Sequence, residues 1–296
     1  MVDNASTDDT VDVARACWPP SAVPLRIVFE PQPGLVHARQ CGLSNARYEF
    51  ISFIDDDNWV APDWVENVYR VFEQHPDTGA INGHNTASVE EPLPDWFDRF
   101  SIAYAVTPAD WAPGDVTETR GWLWGAGLCL RRTAWNQITE AGWRWRLTGR
   151  QGKALSCGED SELTIALRLA GWRLRCEPSL HLQHRLDPHR LNWTYLRRMM
   201  RSMGEASVFH DLYGFQSAHL WWLPVAHSMK TAVGASLGGA ALLTPTGNWR
   251  VLSMDREIGR LSALRRLRHD YANLAAEVQA VCTRLRDLKP TTLVKQ

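Results

Sequence analysis

The chain has 296 residues, 45% of them apolar and 22% charged, a composition that packs a core and excludes disordered and collagen-like classes. Lys plus Arg number 32 against 33 Asp plus Glu, for a formal net charge of -1, so there is no basic field for wrapping nucleic acid. None of the six cysteines forms a CxxC pair, which argues against a disulfide scaffold and makes a reducing compartment the expectation.

No charged start followed by an apolar core and cleavage site is seen, so secretion is not expected. The polar run Ala5-Ser6-Thr7-Asp8-Asp9-Thr10 is a cap-forming turn that opens a short helix ending at Ala16. Pro19, Pro20 and Pro24 break the chain, and residues 25–30 read as a strand. Pro33-Gly34 introduces a helix over 35–47, followed by a compact apolar strand over 50–54.

In 63–75 the residues Trp64, Val65, Val68, Val71 and Phe72 recur about once per turn and predict a helix, with Pro62 near its start. A strand over 79–83 follows. This strand–helix–strand order predicts an α/β/α sandwich with a mainly parallel sheet. Residues 88–120, interrupted by Pro92, Pro94, Pro108 and Pro113, predict a long excursion with short elements on the ligand side. A glycine-rich turn then leads to a strand over 128–130. A helix over 161–170 is closed by Gly171, and strands follow over 172–176 and 180–183.

Past Asn192 the pattern becomes helical, with a helix over 193–213 carrying Arg197, Arg198 and Arg201. Residues 219–243 are fairly apolar but contain His227 and Lys230, and suit a bilayer surface or a buried helical pair better than a span. From Ile258 through Leu261, Leu264, Leu267, Tyr271, Leu274, Val278, Val281 and Leu285 to Leu288, apolar residues step by three and four. That seam wants a partner, met either by self-association or by docking on the preceding domain. The organisation predicted is a domain over 1–190 and a helical extension over 191–296.

Three polar clusters carry chemistry. Asp55-Asp56-Asp57 follows a strand, at the sheet edge where α/β proteins bind ligands. Its oxygens suit a hard divalent cation bridging diphosphate, against the alternative of a solvated turn. Gly158-Glu159-Asp160-Ser161 precedes a helix, where an acid is either a cap or a proton acceptor for a substrate. His181, His184 and Arg185 follow a strand, and His184 is a candidate second ligand beside Asp57. Phosphate-loop, nucleophile-elbow and HExxH patterns are all missing.

In this order Val2-Asp3-Asn4-Ala5-Ser6-Thr7-Asp8, Pro33-Gly34-Leu35 through Gly42, Phe53-Ile54-Asp55-Asp56-Asp57 and Gly158-Glu159-Asp160-Ser161-Glu162-Leu163 resemble the family 2 glycosyltransferases of the GT-A fold, over about residues 1–190. The Glu177-Pro178…His184 stretch fits the same pattern. The family's usual first strand has no counterpart ahead of Val2. The resemblance implies a nucleotide-diphospho-sugar transferase acting with inversion. Asp3 and Asp8 would lie on the nucleotide side, with Asp3 toward a base, commonly uracil. Arg39 would border the pyrophosphate or ribose. Asp55 would face the ribose, Asp56 would support the turn, and Asp57 with His184 would hold Mg2+ or Mn2+.

By the same resemblance Asp160 is the base that deprotonates an acceptor hydroxyl, with Glu159 beside it; on the residues alone, His181 or Arg185 is a candidate to meet phosphate. Trp122 and Trp124, in Gly121-Trp122-Leu123-Trp124-Gly125, are candidates for stacking on sugar or for simple packing. Expected partners are a nucleotide-sugar donor, a glycan or lipid-linked acceptor and the inner face of a membrane touched from the cytoplasm. The competing readings are a sugar-nucleotide nucleotidyltransferase and an inactive assembly protein.

Overall fold

A computed structural model describes residues 1–19, 23–150, 152, 155–214 and 246–288. The stretch 219–243 singled out above lies outside the described residues. Strand β1 (Val2–Asp3) pairs in parallel with β2 (Val28–Phe29) in a two-stranded sheet. Helices α1 (Thr10–Cys17) and α2 (Leu35–Asn45) flank that ladder in the chain. The main sheet is separate and runs in the order β3 (Phe50–Ser52), β7 (Cys129–Arg131), β5 (Thr78–Ser88), β8 (Arg173–Arg185), β4 (Asn58–Val60). The short β6 (Gly114–Asp115) shares the β4 edge of β8 at the opposite end.

The sheet is mixed, which corrects the expectation of a mainly parallel one. Only β5 and β8 run parallel within it, while β3–β7, β7–β5, β8–β4 and β8–β6 are antiparallel. Buried apolar strands look alike in either direction, and direction depends on how the connections return. Here the acidic turn reverses the chain between β3 and β4, and the excursion over 88–127 brings it back in through β7.

Strands β5 and β8 are both longer than predicted, and the two strands expected over 172–183 are one. The ladder slips between the pairs Gly83–Glu177 and His84–His181. Pro178 has no N–H to donate there, so the slip falls where the ladder cannot be continued. Gly83 is required at the same point, because a Cβ would overlap the Leu180 carbonyl.

Alternate strand residues face opposite layers. Ala80, Leu130 and Leu174 pack with helices α5 (Arg132–Glu140) and α6 (Glu159–Leu169), while Ile81, Cys129 and Leu182 pack with α3 (Trp64–Gln74). Helix α3 buries Trp64, Val68, Val71 and Phe72 as its period predicts, whereas Val65 is exposed. A third apolar cluster joins α4 (Phe97–Phe100) and the 3-10 turn Ser101–Tyr104 to α7 (Trp193–Leu212). The result is an α/β sandwich with C-terminal helices.

The apolar seam of the tail is broken at 268–270 into α8 (Trp249–Leu267) and α9 (Tyr271–Arg286). Val278, Val281, Cys282 and Leu285 of α9 enter the same core as Leu163 and Trp143. Helix α8 instead buries Val251, Leu252, Asp255, Gly259 and Ala263 and leaves Ile258 and Leu261 exposed. Asp255, 1% exposed, receives Nε of Arg197 at 2.6 Å and Nε of Arg201 at 2.7 Å. Two arginines of the basic run are therefore spent on a neighbouring helix. Among the described residues no helix is long and apolar enough to cross a membrane.

Candidate active site

The Asp55–Asp57 turn leaves β3 and closes on itself, with the Asn58 N–H donating to the Asp55 carbonyl at 3.0 Å. Asp56 points to solvent. Burial raises the Asp55 carboxyl above its ordinary range, against the pull of the Arg39 guanidinium, and Asp57 adds to the rise. Asp57 goes the other way. Burial opposes its ionisation, but hydrogen bonds and charge from His184 and Arg190 hold it low.

His184 is brought to Asp57 by sheet register, since it is the ladder partner of Asn58. Its Nδ1 lies 2.8 Å from the Tyr104 carbonyl. A carbonyl only accepts, so Nδ1 carries the hydrogen and Nε2 is turned toward Asp57 Oδ2, at 3.4 Å. Arg190 Nη1 reaches the same oxygen at 3.2 Å. A histidine fixed through one nitrogen and offering the other is the usual arrangement of a metal-ligating imidazole. The 3.4 Å gap also suits two ligands of one cation with bonds of about 2.1 Å.

Among the described residues no group of three or more His, Cys, Asp or Glu side chains converges. Asp57 and His184 would offer two protein ligands to a cation such as Mg2+, the rest of whose shell would come from substrate phosphates and water.

The second arm comes from α6. Gly158 turns the chain with φ 95° so that the acids enter the first helical turn, where the helix dipole favours negative charge. Glu159 is 5% exposed and pairs with Arg39, itself 4% exposed, at 3.4 Å. Burial and the neighbouring Asp160 push the Glu159 carboxyl up, while Arg39 opposes them. The Arg39 guanidinium also lies over the Phe53 ring, 5.4 Å from its centre. Arg39 therefore ties the two acidic arms together: it acts on Asp55 through its charge and on Glu159 by direct contact.

Asp160 Oδ1 accepts the Ser161 N–H at 2.7 Å, leaving Oδ2 on the side of Gly125. A Cβ on Gly125 would overlap Arg39 Nη2 and lie 3.0 Å from Asp160 Oδ2. The segment before it is pinned to the same helical turn, since the Leu123 N–H donates to Thr164 Oγ1 and that hydroxyl donates to the Asp160 carbonyl.

Other predicted residues are placed differently. Asp3 Oδ1 accepts the Ser6 N–H at 3.0 Å, and Asp8 is an exposed cap on the backbone and hydroxyl of Thr10. Asn4 holds this loop to the entry of α2 by accepting from the Gly34 N–H and donating to the Glu30 and Gln32 carbonyls. Arg185 is drawn to Glu90 at 2.6 Å on the surface, and the guanidinium beside Asp57 belongs to Arg190. Trp122 is half-buried against the core and Trp124 is buried. Arg190 and Tyr104 were invisible in the sequence. Arg190 sits in a one-turn helix opened by Asp187-Pro188, and only its closeness to the end of β8 hinted at it.

Known proteins resemble this chain over part or most of its length. Residues 1–124 match the family model described as Glycosyl transferase family 2. Succinoglycan biosynthesis protein ExoM of Rhizobium meliloti (strain 1021) is 26% identical over 245 residues, covering 81% of this chain and 70% of that protein. Putative glycosyltransferase EpsH of Bacillus subtilis (strain 168) is 31% identical over 82 residues, 28% of this chain and 24% of EpsH. A crystal structure of S. aureus TarS aligns over 96% of this chain and 48% of TarS, with a TM-score of 0.44 and 14% identity. The sequence matches support glycosyl transfer as the general reaction.

Proposed function

We propose that the chain transfers a sugar, with inversion, from a nucleoside-diphosphate donor to a hydroxyl of a glycan or lipid-linked acceptor. The observation that carries this reading is that Asp55 of one acidic arm and Glu159 of the other both meet Arg39, by charge and by contact respectively, while Arg39 and Asp160 flank Gly125. In the proposed step the acceptor oxygen bonds to the anomeric carbon as the bond from that carbon to the diphosphate oxygen breaks. The departing diphosphate keeps the bonding electrons, and Asp160 Oδ2 takes the acceptor's proton.

Asp57 and His184 would hold Mg2+ or Mn2+, which when bound offsets charge on the diphosphate. Arg190 adds a fixed positive charge at the same carboxylate. Asp55, whose carboxyl is raised by burial, suits a hydrogen bond to a ribose hydroxyl, and Asp3 is assigned to the base, with uracil favoured. Glu159 orients Arg39. Contact with the cytoplasmic face of a membrane belongs to the same reading, carried by the exposed side of α8, where Trp249, Ile258 and Leu261 stand among Arg250, Arg256 and Arg265.

The test is release of nucleoside diphosphate by the full chain from a panel of nucleotide sugars, with and without Mg2+ or Mn2+. Metal-dependent UDP release that drops about 100-fold or more in both D57N and D160N is expected. Release of pyrophosphate, or transfer unchanged in folded D57N, overturns the assignment.

A further inference from the structure

The excursion over 88–120 returns to the sheet through an arginine that has no carboxylate partner among the described residues. The two acids nearest it in the loop are already used: Asp115 pairs with Arg173 at 2.7 Å, and Glu118 lies within 3.7 Å of Arg173 and 3.6 Å of Arg168. Arg120 instead lies among three indoles. Its guanidinium covers Trp111, and its carbon is 5.2 Å from the Trp124 ring centre and 5.7 Å from that of Trp122. Trp111 and Trp124 pack with centres 4.7 Å apart, and Trp111 Nε1 donates to Cys176 Sγ at 2.8 Å.

Polar atoms left over in this region are mostly donors. Arg120 Nη1 and Trp124 Nε1 are both buried and have no acceptor among the described residues. Neither amide atom of fully buried Asn82 has a partner either. Asn82 is the ladder partner of Cys176 and so shares its face of the sheet, beneath Trp111. Burial lowers the Arg120 guanidinium to about 9, which reflects the cost of holding an uncompensated charge there. Trp111, Arg120 and Trp122 are only half-buried, so the cage has an open side.

We propose that the cage of Arg120, Trp111, Trp122 and Trp124 is a subsite for a sugar unit of the acceptor that carries an anionic oxygen group, a carboxylate or a phosphate. The half-buried indole of Trp122 supplies the flat apolar surface that a sugar ring covers, and the guanidinium with the Trp124 N–H supplies donors for the anion. Chain continuity links it to the base: Trp124 is joined to Gly125, which abuts Asp160, and Leu123 is pinned through Thr164 to the same helical turn. This assignment rests on the transferase reading for the word acceptor, and on the cage alone for the anion.

The test titrates the full chain with methyl glucuronide, methyl glucoside and glucose 6-phosphate, following tryptophan fluorescence without donor or metal. Saturable binding of the glucuronide or the sugar phosphate at least about tenfold tighter than the glucoside is expected, the tighter of the two naming the anion. In R120Q that preference falls to about unity, and in R120K, which keeps charge but not the planar fork, it falls severalfold. Equal binding of all three sugars, no saturation, or an unchanged preference in either folded variant overturns the subsite. If neither variant folds, competition decides: inorganic phosphate must displace the anionic sugar from the wild-type chain, and failure to do so overturns it. Measured alongside, nucleotide release separates the two proposals. Release without anion preference removes the subsite alone, and anion preference without release removes the transferase reading alone.

Discussion

At Gly125 the backbone passes close enough to Arg39 and Asp160 that a methyl group would overlap the guanidinium and press on the carboxylate. The glycine is needed for room, since it marks the space in which an acceptor hydroxyl would meet its base. Gly125→Ala is therefore expected to displace Arg39 and Asp160 by a fraction of an ångström, lowering turnover by about tenfold to 100-fold. The melting temperature should fall far less. Steady-state rates and thermal unfolding of the same preparation check this, and full activity in the variant would remove Gly125 from the site. Arg185 and Arg190 make a related point at the same scale. Arg185 ends β8 and Arg190 follows it, and strand alternation and a short turn send the first to Glu90 and the second to Asp57.

Among the elements, α7 and α8 approach each other backbone to backbone. Gly204 of α7 faces the Arg256 carbonyl and Gly259 of α8 faces the Arg201 carbonyl, and neither position has space for a Cβ. This close approach lets Asp255 reach Arg197 and Arg201, and Arg260 reach Asp211 at 2.7 Å. Gly259→Val must push the helices apart and strain the buried ion pairs, at a cost of about 2–4 kcal/mol. Urea unfolding monitored by circular dichroism measures it, and a loss below about 0.5 kcal/mol would contradict the packing described. The leucine seam through Ile258 and Leu261 misleads here, because small residues on another face of α8 make the contact. A hydrophobic period reports which residues are apolar, whereas close helix packing is set by which ones are small.

Across the whole molecule, Glu162 joins the parts. Fully buried on α6, it accepts N–H groups of Arg146 and Leu147 and the Tyr213 hydroxyl, tying the loop after α5 to the end of α7. Burial pushes its carboxyl from the ordinary 4.5 up to about 7. Because the folded value is the higher one, the folded chain keeps a proton that the unfolded chain loses. The resulting stability is full below about pH 4.5 and is lost as pH rises to about 7. Glu162→Gln does not titrate, so its unfolding free energy should fall less between pH 5 and 7 than that of the wild type, by on the order of 1–3 kcal/mol. Parallel profiles for the two proteins would show that the proton is held elsewhere. The primary sequence determined the elements whose signal is local: α3 from its period, the acidic turn after β3, the first turn of α6, and the short-element character of 88–120. It also carried Asp55, Asp57, Asp160 and His184 as candidates, because acids and imidazoles after strands are few and chemically conspicuous. Strand direction, the break of the tail at 268–270 and the docking of α9 on the sheet's core came only from the tertiary structure. So did the pairing of Arg39 with Glu159, the contact of Arg190 with Asp57, and the enclosure of Arg120 by tryptophans. Each depends on contacts between residues far apart in the chain, and no local period or spacing encodes which distant partner a buried strand, helix or guanidinium will meet.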